Sequence, residues 1–164
     1  IGKRTAIAKR YRNALGDLNG VTLPTADDGH SWNQFVVRIG SCPSGQPLCN
    51  AGCTPSNTSA CHGIPESCCR DWVKQTLQER GVSTIIYYPI PIHRQPAYAH
   101  LGLQQGSLPV TEQLCSQVLS LPIFPELSEE QQEIVIDTVL QLLAPNVPTQ
   151  FRRADDGDQD RMVA

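Results

Sequence analysis

Apolar residues open the chain at helical spacing. Ile7, Tyr11, Ala14, Leu15 and Leu18 fall on one side, with Lys9, Arg10, Arg12 and Asn13 on the other, which predicts an amphipathic helix over residues 4–18 stopped by Asn19-Gly20. Residues 21–24 read as a short extended piece and 25–29 as a turn. The period then changes to two: Asn33, Phe35, Val37 and Ile39 alternate with Trp32, Gln34, Val36 and Arg38, a strand over 30–39 with the first set as its core face. A helix returns at 70–81, with Asp71 in its first turn, Trp72, Val73 and Leu77 as its apolar face and Gly81 at the C-cap position. Residues 83–88 are mostly β-branched or aromatic and predict a strand, which ends near Tyr88 because Pro89 and Pro91 remove backbone donors. A short helix over 110–118 points Val110, Leu114, Cys115 and Val118 inward, and 119–122 is extended. In the final helix Ser128 caps, Gln131 completes a capping box, and Ile134, Val135, Val139, Leu142 and Leu143 form one broad face. The sum is an α+β fold: a small, mostly antiparallel sheet with helices packed on one face.

A chain of 164 residues suits one domain. That domain spans 1–144, is interrupted at 40–69 by a cysteine-rich block without helical or strand period, and is followed by a polar, disordered tail at 145–164. The acids of the tail lack the spacing of a calcium loop. With 13 Lys plus Arg against 16 Asp plus Glu, spread along the chain, there is no electrostatic case for nucleic acid and no polybasic patch for a membrane. No apolar run is long enough to span a bilayer and no apolar leader segment is present, so the expected location is cytoplasmic. The chain begins at Ile1, without a methionine and in what reads as mid-helix, so it reads as a piece of something longer.

Six of the seven cysteines, Cys42, Cys49, Cys53, Cys61, Cys68 and Cys69, lie in the irregular block. Disulfides, free thiols and a metal site are all open readings. Only Cys49 and Cys53 have zinc-like spacing, with His62 as a further candidate ligand. Cys115 reads as a small buried hydrophobe. Asn57-Thr-Ser59 matches a glycosylation acceptor, which matters only in a secreted protein. His30 and His100 sit beside turns and read as solvated or locally bonded.

The densest chemistry lies at 84–98, where Tyr87, Tyr88, His93, Arg94, Gln95 and Tyr98 follow a strand into a proline-shaped loop. Such a loop contacts a polar ligand or another subunit. The alternative is a proline-rich connector with half-buried tyrosines.

Four ordered motifs resemble the C-terminal part of the DegT/DnrJ/EryC1/StrS aminotransferases, sugar-nucleotide enzymes of PLP-dependent fold type I. They are His30-Ser-Trp-Asn-Gln-Phe-Val-Val-Arg38, Glu79-Arg-Gly-Val82, Tyr87-Tyr-Pro-Ile-Pro-Ile-His-Arg-Gln-Pro-Ala-Tyr98 with Leu101-Gly102, and Val118-Leu-Ser-Leu-Pro-Ile-Phe-Pro-Glu-Leu-Ser-Glu-Glu-Gln131. The resemblance implies the small domain of such an enzyme, whose larger N-terminal domain carries the Schiff-base lysine and most cofactor contacts. None of Lys3, Lys9 and Lys74 matches that lysine, so the chain is expected to bind no PLP and catalyse nothing alone, although a full-length relative uses PLP. By the same resemblance Tyr87 (where many members have His), Tyr88, His93 and more weakly Gln95 are substrate-side residues, orienting a sugar nucleotide in a homodimer. The block at 40–69 stands where the family has a short turn. A long insertion costs only about 0.6 kcal/mol per doubling of loop length, so the core tolerates it. A stand-alone interaction or accessory protein that retains the small-domain fold is the competing reading, and a cysteine-rich metal-binding module a weaker one.

Overall fold

The computed structural model describes residues 1–40 and 68–143. The elements run α1 (Gly2–Leu15), β1 (Val21–Thr22), β2 (Phe35–Ile39), α2 (Cys68–Glu79), α3 (Pro109–Gln117), β3 (Val118–Leu121) and α4 (Glu129–Leu143), with 3-10 turns at Ile92–Arg94 and Pro96–Leu101.

The sheet is antiparallel in the order β1-β2-β3, with Val21 opposite Ile39 and Phe35 opposite Leu121. Burial along β2 alternates, so Phe35, Val37 and Ile39 face the core while Val36 and Arg38 are half-buried. This is the period-two signature of a strand with one packed face. Against that face lie Leu15 of α1, Val73 and Leu77 of α2, and Val139 and Leu143 of α4, with Leu119 and Leu121 of β3 completing the cluster. The fold is therefore the α+β arrangement expected from the sequence, with helices on one face of a small antiparallel sheet.

Two polar side chains inside this core are paired, whereas the buried Thr84 hydroxyl has no partner among the described residues. The Tyr11 hydroxyl donates to the Pro122 carbonyl at 2.9 Å, and its ring lies 5.1 Å from that of Phe35. Burial pushes the Tyr11 phenol well above its ordinary value. The buried Gln132 amide donates to the Ile7 carbonyl at 2.7 Å and joins α4 to α1. The predicted capping box is present: the Gln131 amide donates to the Ser128 hydroxyl at 3.2 Å and the Ser128 amide to the Gln131 side chain at 3.0 Å.

Several expectations are corrected. The strand over 83–88 shrinks to one bridge, in which the amides of Ile85 and Ser120 each donate to the other's carbonyl at 3.2 and 2.8 Å. Pairing has stopped by Ile86, and three residues beyond the bridge Tyr88 turns into positive φ, at 62°, so the chain leaves the extended path before Pro89. Helix α1 stops at Leu15, and Leu18 is buried instead by the turn that follows. Strand β2 starts only at Phe35: Trp32, at φ 52°, turns its ring into the core between His30 and Phe35.

Helix α3 follows its apolar pattern only in part: Cys115 and Val118 are partly buried, but Val110 is 69% exposed and Leu114 exposed too, while Gln117 is buried. Hydrogen bonding decides this. Arg70, buried, donates through one nitrogen to the carbonyls of Cys115 and Val118, both at 3.0 Å, and Arg38 Nε donates to the Gln117 side chain at 2.6 Å. A buried guanidinium needs those acceptors more than the helix needs two apolar contacts. On α4, Ile134 is likewise exposed, and Ile136, Gln132 and Thr138 are buried in its place. Thr138 can be buried because its hydroxyl donates to the Ile134 carbonyl at 2.6 Å.

Cys115 is a free, partly buried thiol that burial pushes up in pKa, against the opposing effect of Arg70. The other six cysteines fall in or beside the block whose side chains lie outside the described residues, and so do the disulfide, thiol and metal readings of Cys49, Cys53 and His62 and the reading of the tail. Among the described residues no helix is long and apolar enough to cross a membrane.

Candidate functional site

From the bridge at Ile85 the chain leaves the sheet and runs through Tyr87 and Tyr88 into the two 3-10 turns. Pro91 precedes the first turn and Pro96 starts the second, so their fixed φ angles set where each turn begins. Gln95 joins the turns: its amide donates to the Ile92 carbonyl at 3.0 Å, and its carbonyl accepts from the Tyr98 amide at 2.9 Å.

The four candidates separate into two environments. Tyr87 is 36% exposed and lines a mostly apolar groove of about 450 Å³ together with Ile85, Ser120, Phe124, Leu127 and Ile134. Tyr88 is 70% exposed, its ring centroid 6.5 Å from that of Tyr87. These phenols present O–H groups to whatever occupies the space beside them. His93, by contrast, is only 7% exposed, and its Nε2 lies 3.0 Å from Glu112 Oε1. Its Nδ1 is buried without a partner among the described residues. Gln95 is half-buried, and of the four only Tyr87 lines the groove. The two tyrosine rings are thus neighbours, and His93 and Gln95 follow them along the chain in and between the 3-10 turns.

Two residues that sequence reasoning missed organise this region. Glu112, in the first turn of α3, accepts from the Gly106 amide at 2.9 and 2.8 Å through its two oxygens. That backbone bond, ahead of the His93 and Leu108 contacts, holds its carboxyl below the usual range. Arg70 is the second, through its bonds to the end of α3. An acid just inside a helix opened by Pro109 was the available signal for Glu112. His30 and His100 are locally bonded: the Trp32 amide donates to His30 Nδ1 at 2.9 Å, and His100 Nδ1 lies 3.2 Å from the Ala97 carbonyl.

A PLP Schiff base needs a lysine at the cleft. Lys3 and Lys9 are exposed on α1, Lys74 is half-buried on α2, and none of the three lines the groove beside Tyr87. No lysine of the described residues is thus placed to form a Schiff base at that groove. Among the described residues no group of three or more His, Cys, Asp or Glu side chains converges as a metal site.

Residues 50–140 match the DegT/DnrJ/EryC1/StrS aminotransferase family. The chain is 37% identical over 139 residues to the erythromycin biosynthesis sensory transduction protein EryC1 of Saccharopolyspora erythraea, an alignment covering 84% of this chain and 30% of that protein. It is 34% identical over 140 residues to the dTDP-3-amino-3,4,6-trideoxy-alpha-D-glucose transaminase of Streptomyces venezuelae, covering 84% of this chain and 30% of that one. The crystal structure of S. venezuelae DesV in complex with a ketimine intermediate superposes with a TM-score of 0.65 at 33% identity, over 94% of this chain and 32% of that chain. This chain therefore spans about a third of the length of the proteins it matches. It belongs to the DegT/DnrJ/EryC1/StrS aminotransferase family.

Proposed function

We propose that this chain is the C-terminal small domain of a PLP-dependent aminotransferase acting on keto-sugar nucleotides, and that it supplies one wall of the substrate site without the chemistry. The observation that carries this reading is Tyr87, exposed on the lining of an apolar groove that holds no lysine, with the exposed ring of Tyr88 next to it. The 34% identity to a dTDP-sugar transaminase supports the substrate class.

In this reading the phenols of Tyr87 and Tyr88 orient the sugar nucleotide by hydrogen bonding, a positional contribution and not a covalent one. Gln95 acts from the turns that follow them. His93, buried, acts through the shape of the loop. Since no lysine of this chain lines the groove, proton movement at the reacting carbon falls to residues elsewhere in a full-length enzyme. The working assembly is a homodimer whose cleft this wall closes.

A second reading, a stand-alone interaction protein on the same fold, takes its support from the exposed Ile90, Ile92, Leu101 and Val110 around the loop. Saturation-transfer NMR with dTDP-glucose separates the two. Transfer to the wild-type chain that falls sharply in a Tyr87→Ala/Tyr88→Ala double variant supports the substrate wall. Absence of transfer at millimolar ligand rejects it.

A further inference from the structure

The segment bearing the two tyrosines hangs between two ties. Upstream is the Ile85–Ser120 bridge. Downstream, the hydrogen bonds of residues 89–101 close on themselves: Arg94 to Pro91, Gln95 to Ile92, Tyr98 to Gln95 and His100 to Ala97. Among the described residues the contact from His93 Nε2 to Glu112 is the single hydrogen bond that fastens residues 89–101 to a helix.

Glu112 is built for that task. It lies one turn inside α3, and its carboxylate reaches back over the helix start, where Oε1 also accepts from the Leu108 amide at 3.4 Å. Gly106, whose amide both oxygens accept, sits at φ +87°, a conformation that strains any L side chain. The glycine thus lets the loop aim that N–H at the carboxylate. Glu112 is only 19% exposed in its side chain and His93 4%, so water competes little for the contact. The remaining ionisable neighbours in sequence, Arg94 and His100, have no hydrogen bond or ion pair to either group, and the loop 102–108 carries no charged residue.

An ionised carboxylate only accepts. The shared proton therefore belongs to His93 Nε2, and in the neutral ring Nδ1 is the bare nitrogen. We propose that Glu112 is a positioning residue for the substrate wall: by holding His93 as its Nε2–H form and tying Gly106 and Leu108 to the same carboxylate, it fixes the loop on which Tyr87 and Tyr88 are carried. The proposal rests on the reading of those tyrosines as a substrate wall.

The test uses this chain, isotopically labelled. In the wild type the neutral His93 ring should give the ¹⁵N pattern of the Nε2–H tautomer, with a slowly exchanging Gly106 amide. Glu112→Ala should mix the tautomers, speed Gly106 exchange about tenfold and shift the Tyr87 and Tyr88 resonances while leaving Val37 in β2 unmoved. Glu112→Gln, which keeps an acceptor oxygen, should restore the tautomer and part of the protection. An Nδ1–H tautomer in the wild type overturns the proposal on the native chain, whatever the variants do. So do unchanged tyrosine resonances in Glu112→Ala. With dTDP-glucose, transfer that persists unweakened in Glu112→Ala rejects the positioning role, whereas no transfer to a wild-type chain with the expected His93 signature rejects the substrate wall instead.

Discussion

The packed side of the sheet and the loop at 84–108 are built by different means. Between β2, β3 and the helices, apolar side chains find one another: Phe35, Leu119, Leu77 and Val73 are fully buried. In the loop, Tyr88, Ile90, Ile92 and Leu101 stay exposed, and shape comes from prolines, short turns and a few polar ties. Burial specifies the first region and hydrogen-bond geometry the second. A wall for a polar ligand is better made the second way, because its outward side chains remain available.

The sharpest way to break this contrast is to cut the same kind of group from each region. Phe35→Ala removes a ring packed on Tyr11 and Trp32 and should cost about 3–5 kcal/mol in urea denaturation. Ile90→Ala, at 54% exposure, should stay within about 0.5 kcal/mol. Equal losses would mean that the loop is packed like the core.

Arg70 tests the polar anchors inside the packed region. Arg70→Ala strips donors from the Cys115 and Val118 carbonyls and should lower stability by about 2–3 kcal/mol, with loss of α3 order visible in amide exchange. A smaller loss is expected at the helix start, where Ser128→Ala should cost about 1 kcal/mol by the same denaturation assay.

The mildest probe is pH. The carboxyl of Glu112 is depressed in the folded chain, chiefly by the Gly106 amide, so the stability it adds is present above the ordinary carboxylate pKa of about 4.3 and fades as pH falls through the lower folded value. Gly106 amide exchange, compared between wild type and Glu112→Gln, should show protection lost on acidification in the first and a flat response in the second.

Much of the packed region was legible in the sequence. The alternation at Phe35, Val37 and Ile39 and the Ser128 and Gln131 capping box are local signals with local causes, and they appear where the pattern puts them. Helix α3 misled in part because its facing is set by Arg70 and Arg38, which come from other elements and obey hydrogen-bond geometry instead of apolar period. The strand at 83–88 misled for a related reason: β-branched residues favour extension, but pairing stops after one bridge and Tyr88 then turns at φ 62°. In the candidate site, the crowding of tyrosines and prolines was readable from the chain. For Glu112 the helix start at Pro109 marked the position but not the role, because nothing in its own neighbourhood says that His93 and Gly106 will meet over its carboxylate.

The claim of a substrate wall without its own chemistry is tested most directly by incubating the chain with PLP, reducing with borohydride and mapping the modified lysines by mass spectrometry. Lys3 and Lys9 are surface amines and Lys74 is half-buried away from the groove, so the expected result is sparse modification with no lysine singled out. Stoichiometric labelling of a single lysine, accompanied by amino transfer to a keto-sugar nucleotide, would contradict it.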